Sequence, residues 1–201
     1  MRVGILGGSF DPIHNGHLHM ALSAQQTYNL DEVWLIPAGH SPNKDESKMT
    51  SAVHRLNMCK IAVEEFPTLI ASDYEIQRKE RSYTYRTLVR LKEEYPTHDF
   101  FFIMGADSLD YFDEWVHPEI ITSLCTILVI IRDLFSLQDM ERKINELKSK
   151  FSCSIEIVPC EQYDISSTQL RNELKEHKYN CSALPAKVIE YIKQNGLYTY
   201  E

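Results

Sequence analysis

Short, continuously apolar runs alternate along the chain with longer stretches whose apolar residues recur every three or four positions. The runs at 3–6, 32–36, 68–72, 100–104, 126–131 and 154–158 read as strands. The periodic stretches at 18–28, 51–66, 84–95, 137–151, 166–177 and 185–195 read as helices. In the second helix Leu56, Cys59, Val63 and Phe66 share a face; in the fourth, Leu137, Met140, Ile144, Leu147 and Phe151 do. Pro96 ends the third helix, Pro185 stands where the first position of the last helix is expected, and Gly196 follows that helix. Residues 105–124 read as short helical pieces broken at Pro118.

Strands without polar alternation are buried on both faces. Their regular alternation with helices predicts an α/β fold: a Rossmann-like, doubly wound parallel sheet with helices on both faces. Such sheets bind ligands beyond the C-terminal ends of their strands. The chemistry-bearing stretches stand there, at 7–17, 37–44, 105–115 and 165–171, each directly after a strand. The length of 201 residues suits one domain over 1–201, with the final helices carrying the last of these stretches.

The stretch Gly7-Gly8-Ser9-Phe10-Asp11-Pro12-Ile13-His14-Asn15-Gly16-His17 is a glycine-rich turn between a strand and a helix. Backbone N–H groups at such a turn accept an anion, and His14 and His17 add two donors at the helix start. His19 reads as surface, and Asp11 as a residue that caps the loop. Neither G-x-x-x-x-G-K-[ST] nor G-x-G-x-x-G is present, so neither a P-loop nor a dinucleotide fingerprint is expected.

A second anion site is legible in Ile165-Ser166-Ser167-Thr168-Gln169-Leu170-Arg171. Ser166 or Ser167 caps a helix there, and Arg171 follows one turn later. Two phosphate-binding helix starts together imply a polyphosphate. Gly105-Ala106-Asp107-Ser108 offers a carboxylate to ribose hydroxyls, or caps a helix. Trp115 either stacks on a flat ring or serves as a half-buried anchor. Arg81-Ser82-Tyr83-Thr84-Tyr85 opens a helix with hydroxyls and N–H groups suited to a carboxylate or phosphate. Lys44, Lys48, Arg55 and Arg132 are further candidate cations.

The formal net charge of -8 argues against a nucleic-acid partner and leaves anion binding to local cations and dipoles. The five cysteines show neither C-x-x-C pairs nor zinc-ligand spacing, which suits reduced thiols in a cytoplasmic protein. The N-terminal apolar run is too short for a signal peptide, and no run approaches the ~20 residues of a membrane span.

G-G-S-F-D-P-I-H-N-G-H with a later I-S-S-T-x-x-R resembles the nucleotidyltransferase superfamily marked by H-x-G-H and S-S-T-x-x-R. Within it the chain is similar to the bacterial nicotinate mononucleotide adenylyltransferases. That narrower likeness is carried by Ser82-Tyr83-Thr84, Gly105–Ser108, Trp115 and the C-terminal P-x-K-V-x-x-Y-I-x-x-x-G-L-Y. The resemblance implies transfer of the adenylyl group of ATP to nicotinate mononucleotide, giving deamido-NAD and pyrophosphate, with Mg²⁺ held mainly by the substrate phosphates.

The resemblance also implies roles. His14, His17, Ser166, Ser167, Thr168 and Arg171 would hold the ATP phosphates, with Lys44 and Ile165 beside them. Gly8, Ser9 and Phe10 would line the place where the two nucleotides meet, and Gly105 and Asp107 would contact ribose. Trp115 would stack on the pyridine ring, while Tyr83, Thr84, Val116 and Arg132 would complete its site. Three positions depart from the family pattern: Asn43 replaces a phosphate-contacting histidine, Arg86 replaces an aspartate, and Asp133-Leu134 replace proline and glycine. Two alternatives stay open: adenylylation of phosphopantetheine, and a non-catalytic nucleotide sensor on the same fold. Homo-oligomerisation is also open.

Overall fold

The computed structural model describes residues 1–42, 44–131, 137–160, 165–179 and 182–199. Six strands form one sheet in the order β3-β2-β1-β4-β5-β6. They are β1 (Arg2–Gly8), β2 (Glu32–Pro37), β3 (Leu69–Ala71), β4 (Asp99–Gly105), β5 (Cys125–Ile131) and β6 (Ile155–Pro159). The pairs β1–β4, β4–β5 and β5–β6 are parallel, with Val3 opposite Phe100, Phe102 opposite Ile127 and Val129 opposite Ile157. Order reverses at β1, the switch point where ligands bind in open α/β sheets.

The helices are α1 (Asn15–Tyr28), α2 (Ala52–Val63), α3 (Thr84–Glu94), α4 (Ala106–Asp110), α5 (Pro118–Leu124), α6 (Leu137–Phe151), α7 (Ser167–Lys175) and α8 (Ala186–Gln194). Every expected element is present, with ends shifted by a few residues. α1 begins at Asn15 rather than at residue 18, because the polar residues of the histidine motif already have helical hydrogen bonding. Pro185 is the N-cap of α8, one position earlier than expected.

The chain packs as two compact units, each built from separate segments: Met1–Gly7, Met20–Trp34 and Tyr83–Gln162 in the first, Gly8–His19, Leu35–Ser82 and Tyr163–Glu201 in the second. The first is organised on β4 and β5, where Phe100 to Met104 and Ile127 to Ile131 are all buried. Leu88, Leu91, Ile121, Ile144 and Leu147 are the buried stripes of its helices. Each such side chain removed from water stabilises the fold by about 1.5–3 kcal/mol before entropy is counted.

The second unit buries Phe10, Ile13, Met58, Cys59, Leu170 and Val188. The Tyr191 hydroxyl ties α8 to α2, accepting from Asn57 Nδ2 at 3.0 Å and pairing with His54 Nδ1 at 2.9 Å. Cys59, Cys125, Cys153 and Cys160 are free thiols, and Cys181 lies outside the described residues. Among the described residues no helix is long and apolar enough to cross a membrane.

Candidate active site

The second unit holds the two anion-binding stretches together. β1 runs out at Gly8, and the chain then turns sharply: Phe10 has a left-handed φ of 46°, and the Asp11–Pro12 peptide bond is cis. The turn therefore places its one left-handed residue at Phe10 rather than at either glycine. Phe10 tolerates that backbone because its ring is 1% exposed, locked into the core. The ring meets His17 edge-on at 4.9 Å, and His17 stacks on His14 at 3.7 Å.

The His14 backbone N–H donates to His17 Nδ1 at 3.3 Å, so the His17 ring carries its proton on Nε2. His14 is 3% exposed. Its carbonyl accepts the first hydrogen bonds of α1, from His17 and Leu18. Asn15 anchors the helix start by donating its N–H to Ala183 O and its Nδ2 to Ser182 O, both at 2.9 Å. His19, expected on the surface, is half-buried with its Nε2 removed from solvent. The helix turns that position toward packed chain rather than outward.

The start of α7 is bound to this loop by two hydrogen bonds. Arg171 Nη1 donates to Asp11 O at 2.8 Å, and Ser167 Oγ donates to Pro12 O at 3.2 Å. Ser166 is the N-cap, its hydroxyl accepting from the Gln169 N–H at 3.2 Å. Thr168 Oγ1 accepts from Arg171 Nη2 at 3.1 Å, which fixes the guanidinium one turn into the helix. Ile165 is half-buried just ahead of the cap. The hydroxyls of Ser166 and Ser167 are thus committed to chain contacts, and the N–H groups of the first turn remain as the donors a helix start presents.

The loop after β2 closes over the same region. Lys44 Nζ donates to Ser9 Oγ at 2.6 Å. Desolvation, and then the neighbouring Arg171 and Arg55, hold the Lys44 ammonium below its ordinary pKa, while Asp11 acts in the opposite sense. Crowded cations of this kind are relieved by an anion.

Arg55, a candidate ligand from sequence, is instead structural. It is 2% exposed, and its guanidinium donates to Thr50 O at 3.0 Å, Ser9 O at 2.7 Å and Ala38 O at 2.6 Å. Three carbonyls absorb its donors, so it joins the two loops from beneath. Gly39 is required for close approach, because a Cβ there would lie 2.4 Å from the Glu75 carbonyl oxygen. Ser82 serves this loop as well, its Oγ accepting from the Gly39 and His40 N–H groups. The His40 ring is engaged by both carboxylate oxygens of Glu46, each at 3.1 Å. Asn43 lies outside the described residues.

Asp11 does more than cap the loop. Its carboxylate is 2% exposed and accepts from the Tyr198 hydroxyl at 2.6 Å and the Thr50 N–H at 3.3 Å. Burial, and then the Asp11 charge, push the Tyr198 phenol far above its ordinary pKa, so it stays a donor. Sequence reading missed Tyr198. Its only signal was its place at the end of the C-terminal G-L-Y.

The first unit holds the remaining candidates. Tyr83 is the N-cap of α3 and supplies no side-chain cap, so the first-turn N–H groups at Thr84 and Tyr85 are not closed off by it. Arg86 Nε donates to the Tyr85 hydroxyl at 2.9 Å, and its guanidinium lies 5.3 Å from the Tyr83 ring centre. Tyr85 meets His117 edge-on at 4.7 Å. Trp115 is half-buried against Phe112 at 5.5 Å and Phe102 at 6.0 Å, and Val116 beside it is exposed. His117 is left-handed, with φ 56°, which turns the chain between Trp115 and α5.

Gly105, the N-cap of α4, has nothing within 4 Å of where a Cβ would stand, and Asp107 in the next turn is exposed. Asp107 therefore is not the helix cap, and its carboxylate is available. Arg132, Asp133 and Leu134 lie outside the described residues.

Comparison with known proteins agrees with this geometry. The cytidylyltransferase-like family model matches residues 5–173. A Clostridium botulinum protein (strain Loch Maree, type A3) named "Probable nicotinate-nucleotide adenylyltransferase" is 40% identical over 195 residues, covering 96% of this chain and 97% of its own. A second of the same name, from strain Eklund 17B, is 38% identical over 200 residues, covering 100% and 99%. In fold, the chain superposes with a TM-score of 0.80 on Plasmodium falciparum nicotinic acid mononucleotide adenylyltransferase complexed with NaAD, at 23% identity, over 98% of this chain and 97% of that one. The chain belongs to the cytidylyltransferase-like family and, within it, to the nicotinate-nucleotide adenylyltransferases.

Proposed function

We propose that this enzyme transfers the adenylyl group of ATP to nicotinate mononucleotide by direct in-line displacement, giving deamido-NAD and pyrophosphate as a step of NAD biosynthesis. The observation that carries the reading is the joining of the Ser166–Arg171 helix start to the His14–His17 loop through Asp11 and Pro12. Two donor sets held against each other suit a polyphosphate chain gripped at more than one phosphate.

The nucleophile is the phosphate oxygen of the mononucleotide, which is already anionic, so no general base is needed. Catalysis is then a matter of alignment and of stabilising charge on the transferring and departing phosphates. His14 and His17 donate to those oxygens through ring N–H groups, His17 through Nε2. Arg171 and Lys44 supply positive charge, and Ser166, Ser167 and Thr168 supply the backbone of the helix start, with Ile165 entering it. Gly8, Ser9 and Phe10 line the point where acceptor and ATP phosphates meet.

Gly105 and Asp107 take ribose, Asp107 as an acceptor for its hydroxyls. Trp115 stacks on the pyridine ring. Backbone N–H groups at Thr84 and Val116, beside Tyr83, receive its carboxylate, with Arg132 as an added cation. Among the described residues no group of three or more His, Cys, Asp or Glu side chains comes together to hold a metal. Mg²⁺, if bound, would be held mainly by substrate phosphate oxygens and water and would supply charge neutralisation there.

We assign the protein to the cytoplasm, acting on small nucleotides without nucleic acid or membrane, and leave a homo-oligomer open. The deciding experiment is pyrophosphate release from ATP with nicotinate mononucleotide, nicotinamide mononucleotide or phosphopantetheine as acceptor. Release with the first, at a rate well above the others, is expected. Equal rates with the first two overturn the acid preference, and no release with any acceptor favours a nucleotide sensor.

A further inference from the structure

We propose that Tyr198, close to the C-terminal end of the chain, is a positioning residue for the phosphate-binding machinery, acting on Arg171 through Asp11. The inference rests on the reading of Arg171 as an ATP-phosphate ligand.

The local structure that delivers Tyr198 is a helix ending. Past α8, Gly196 adopts a left-handed φ of 58°. The Gly196 N–H donates to Lys193 O at 3.3 Å, and the Leu197 N–H to Ile192 O at 3.0 Å. That pair of bonds reverses the chain at the helix end and needs glycine at the reversal. Tyr198 itself is left-handed at φ 62°, and the two turns send its ring back to the first loop.

There the hydroxyl donates to Asp11 Oδ1 at 2.6 Å. This is a charge-assisted hydrogen bond to a carboxylate buried from water, the kind whose loss is felt most. The other carboxylate oxygen accepts the Thr50 N–H at 3.3 Å. The backbone carbonyl of the same residue, Asp11, accepts from Arg171 Nη1 at 2.8 Å. Thr50 returns its carbonyl to Arg55 Nε at 3.0 Å, and Arg55 holds Ser9 O and Ala38 O. The tyrosine thus closes a run of bonds that ends at the guanidinium of Arg171 on one side and the carbonyl of Ser9 on the other.

Four segments far apart in sequence meet at Asp11: the first loop, the residues before α2, the start of α7 and the tail after α8. Tyr198 is half-buried, and its hydroxyl is committed to Asp11. Its contribution is therefore to alignment. Removing its oxygen leaves Asp11 short of its shortest bond and lets the residue that holds Arg171 shift. Small displacements of a charge-stabilising group lower turnover without changing how much substrate binds.

The test is a double-mutant cycle of Tyr198→Phe and Arg171→Ala. It is read by steady-state kcat and KM for ATP and nicotinate mononucleotide, and by thermal unfolding of each purified variant. Tyr198→Phe is expected to lower kcat about tenfold or more, with both KM values within about twofold. Its melting temperature should stay within about 4 °C of the unsubstituted enzyme. In the Arg171→Ala background the same exchange should change kcat by less than about twofold, because the group it positions is gone.

Thr199→Ala is the neighbouring control. Among the described residues that hydroxyl bonds its own turn, at Gly196 O, and turnover should be unchanged. Tyr198→Phe with normal kcat, an equal loss in both backgrounds, or failure of the variant to fold each overturns the inference. Normal turnover in Arg171→Ala alone overturns the earlier assignment of Arg171 instead, so the two failures are told apart.

Discussion

The region of the second unit proposed to face phosphate and the region of the first proposed to face the pyridine ring are built in opposite ways. Around Asp11, charged groups are sunk and interlocked. Asp11 and Arg55 are each 2% exposed, and their side chains tie Ser9, Ala38, Thr50 and Tyr198 into one network. In the other region, by contrast, Tyr83, Tyr85 and Trp115 are half-buried, the start of α3 has no side-chain cap, and Gly105 opens onto empty space. A group that must meet charge developing in a transition state has to be held before the substrate arrives. A surface that recognises a flat ring and a carboxylate needs accessible faces and uncommitted N–H groups. The same fold supplies rigidity at one place and open backbone at the other.

That contrast breaks most visibly at Arg55. Arg55→Ala should destabilise the fold by about 3 kcal/mol or more, because it takes the guanidinium donors from three part-buried carbonyls and the positive charge from beside the buried Asp11. Denaturant unfolding checks this, and an unchanged midpoint would mean that Arg55 does not fasten the two loops. Next come His17→Ala and Arg171→Ala. Each should lower kcat by an amount equal to about 2–4 kcal/mol of transition-state stabilisation while the melting temperature holds. Turnover near that of the unsubstituted enzyme would remove either from its role.

Trp115→Ala should act on the other region alone. It should raise KM for nicotinate mononucleotide about tenfold, in keeping with the ~0.5–1.5 kcal/mol of an aromatic pair plus lost burial. A rise confined to ATP would move the ring elsewhere. The smallest expected effect is that of Gly105→Ala on stability, within about 0.5 kcal/mol, since the new methyl meets nothing. The same substitution should weaken a nucleotide seated on that backbone, and an unchanged KM for ATP would show that the space is not used.

Much of this contrast was legible in the chain. Apolar runs and periodic faces located all six strands, because a parallel sheet covered on both sides leaves no polar alternation to confuse the pattern. The placement of His14, His17 and Ser166 to Arg171 at helix starts was legible because those motifs are short and local. Arg55 was not. A buried arginine on a helix looks the same in sequence as a solvated one, and only the three carbonyls around it show its work. Ser82 was misjudged for the same reason: its hydroxyl serves Gly39 and His40, which are remote in the chain.

The sequence by itself determined the alternation of strands and helices, the two helix starts that carry the candidate anion motifs and the family to which they point. Each is encoded locally, by hydrophobic period or by residues within a turn of one another. Only the tertiary structure decided which polar groups are tied to distant parts of the chain. Asp11, Arg55 and Tyr198 take their meaning from partners tens of residues or more away, and hydrogen bonds between distant segments exist only once the chain has folded.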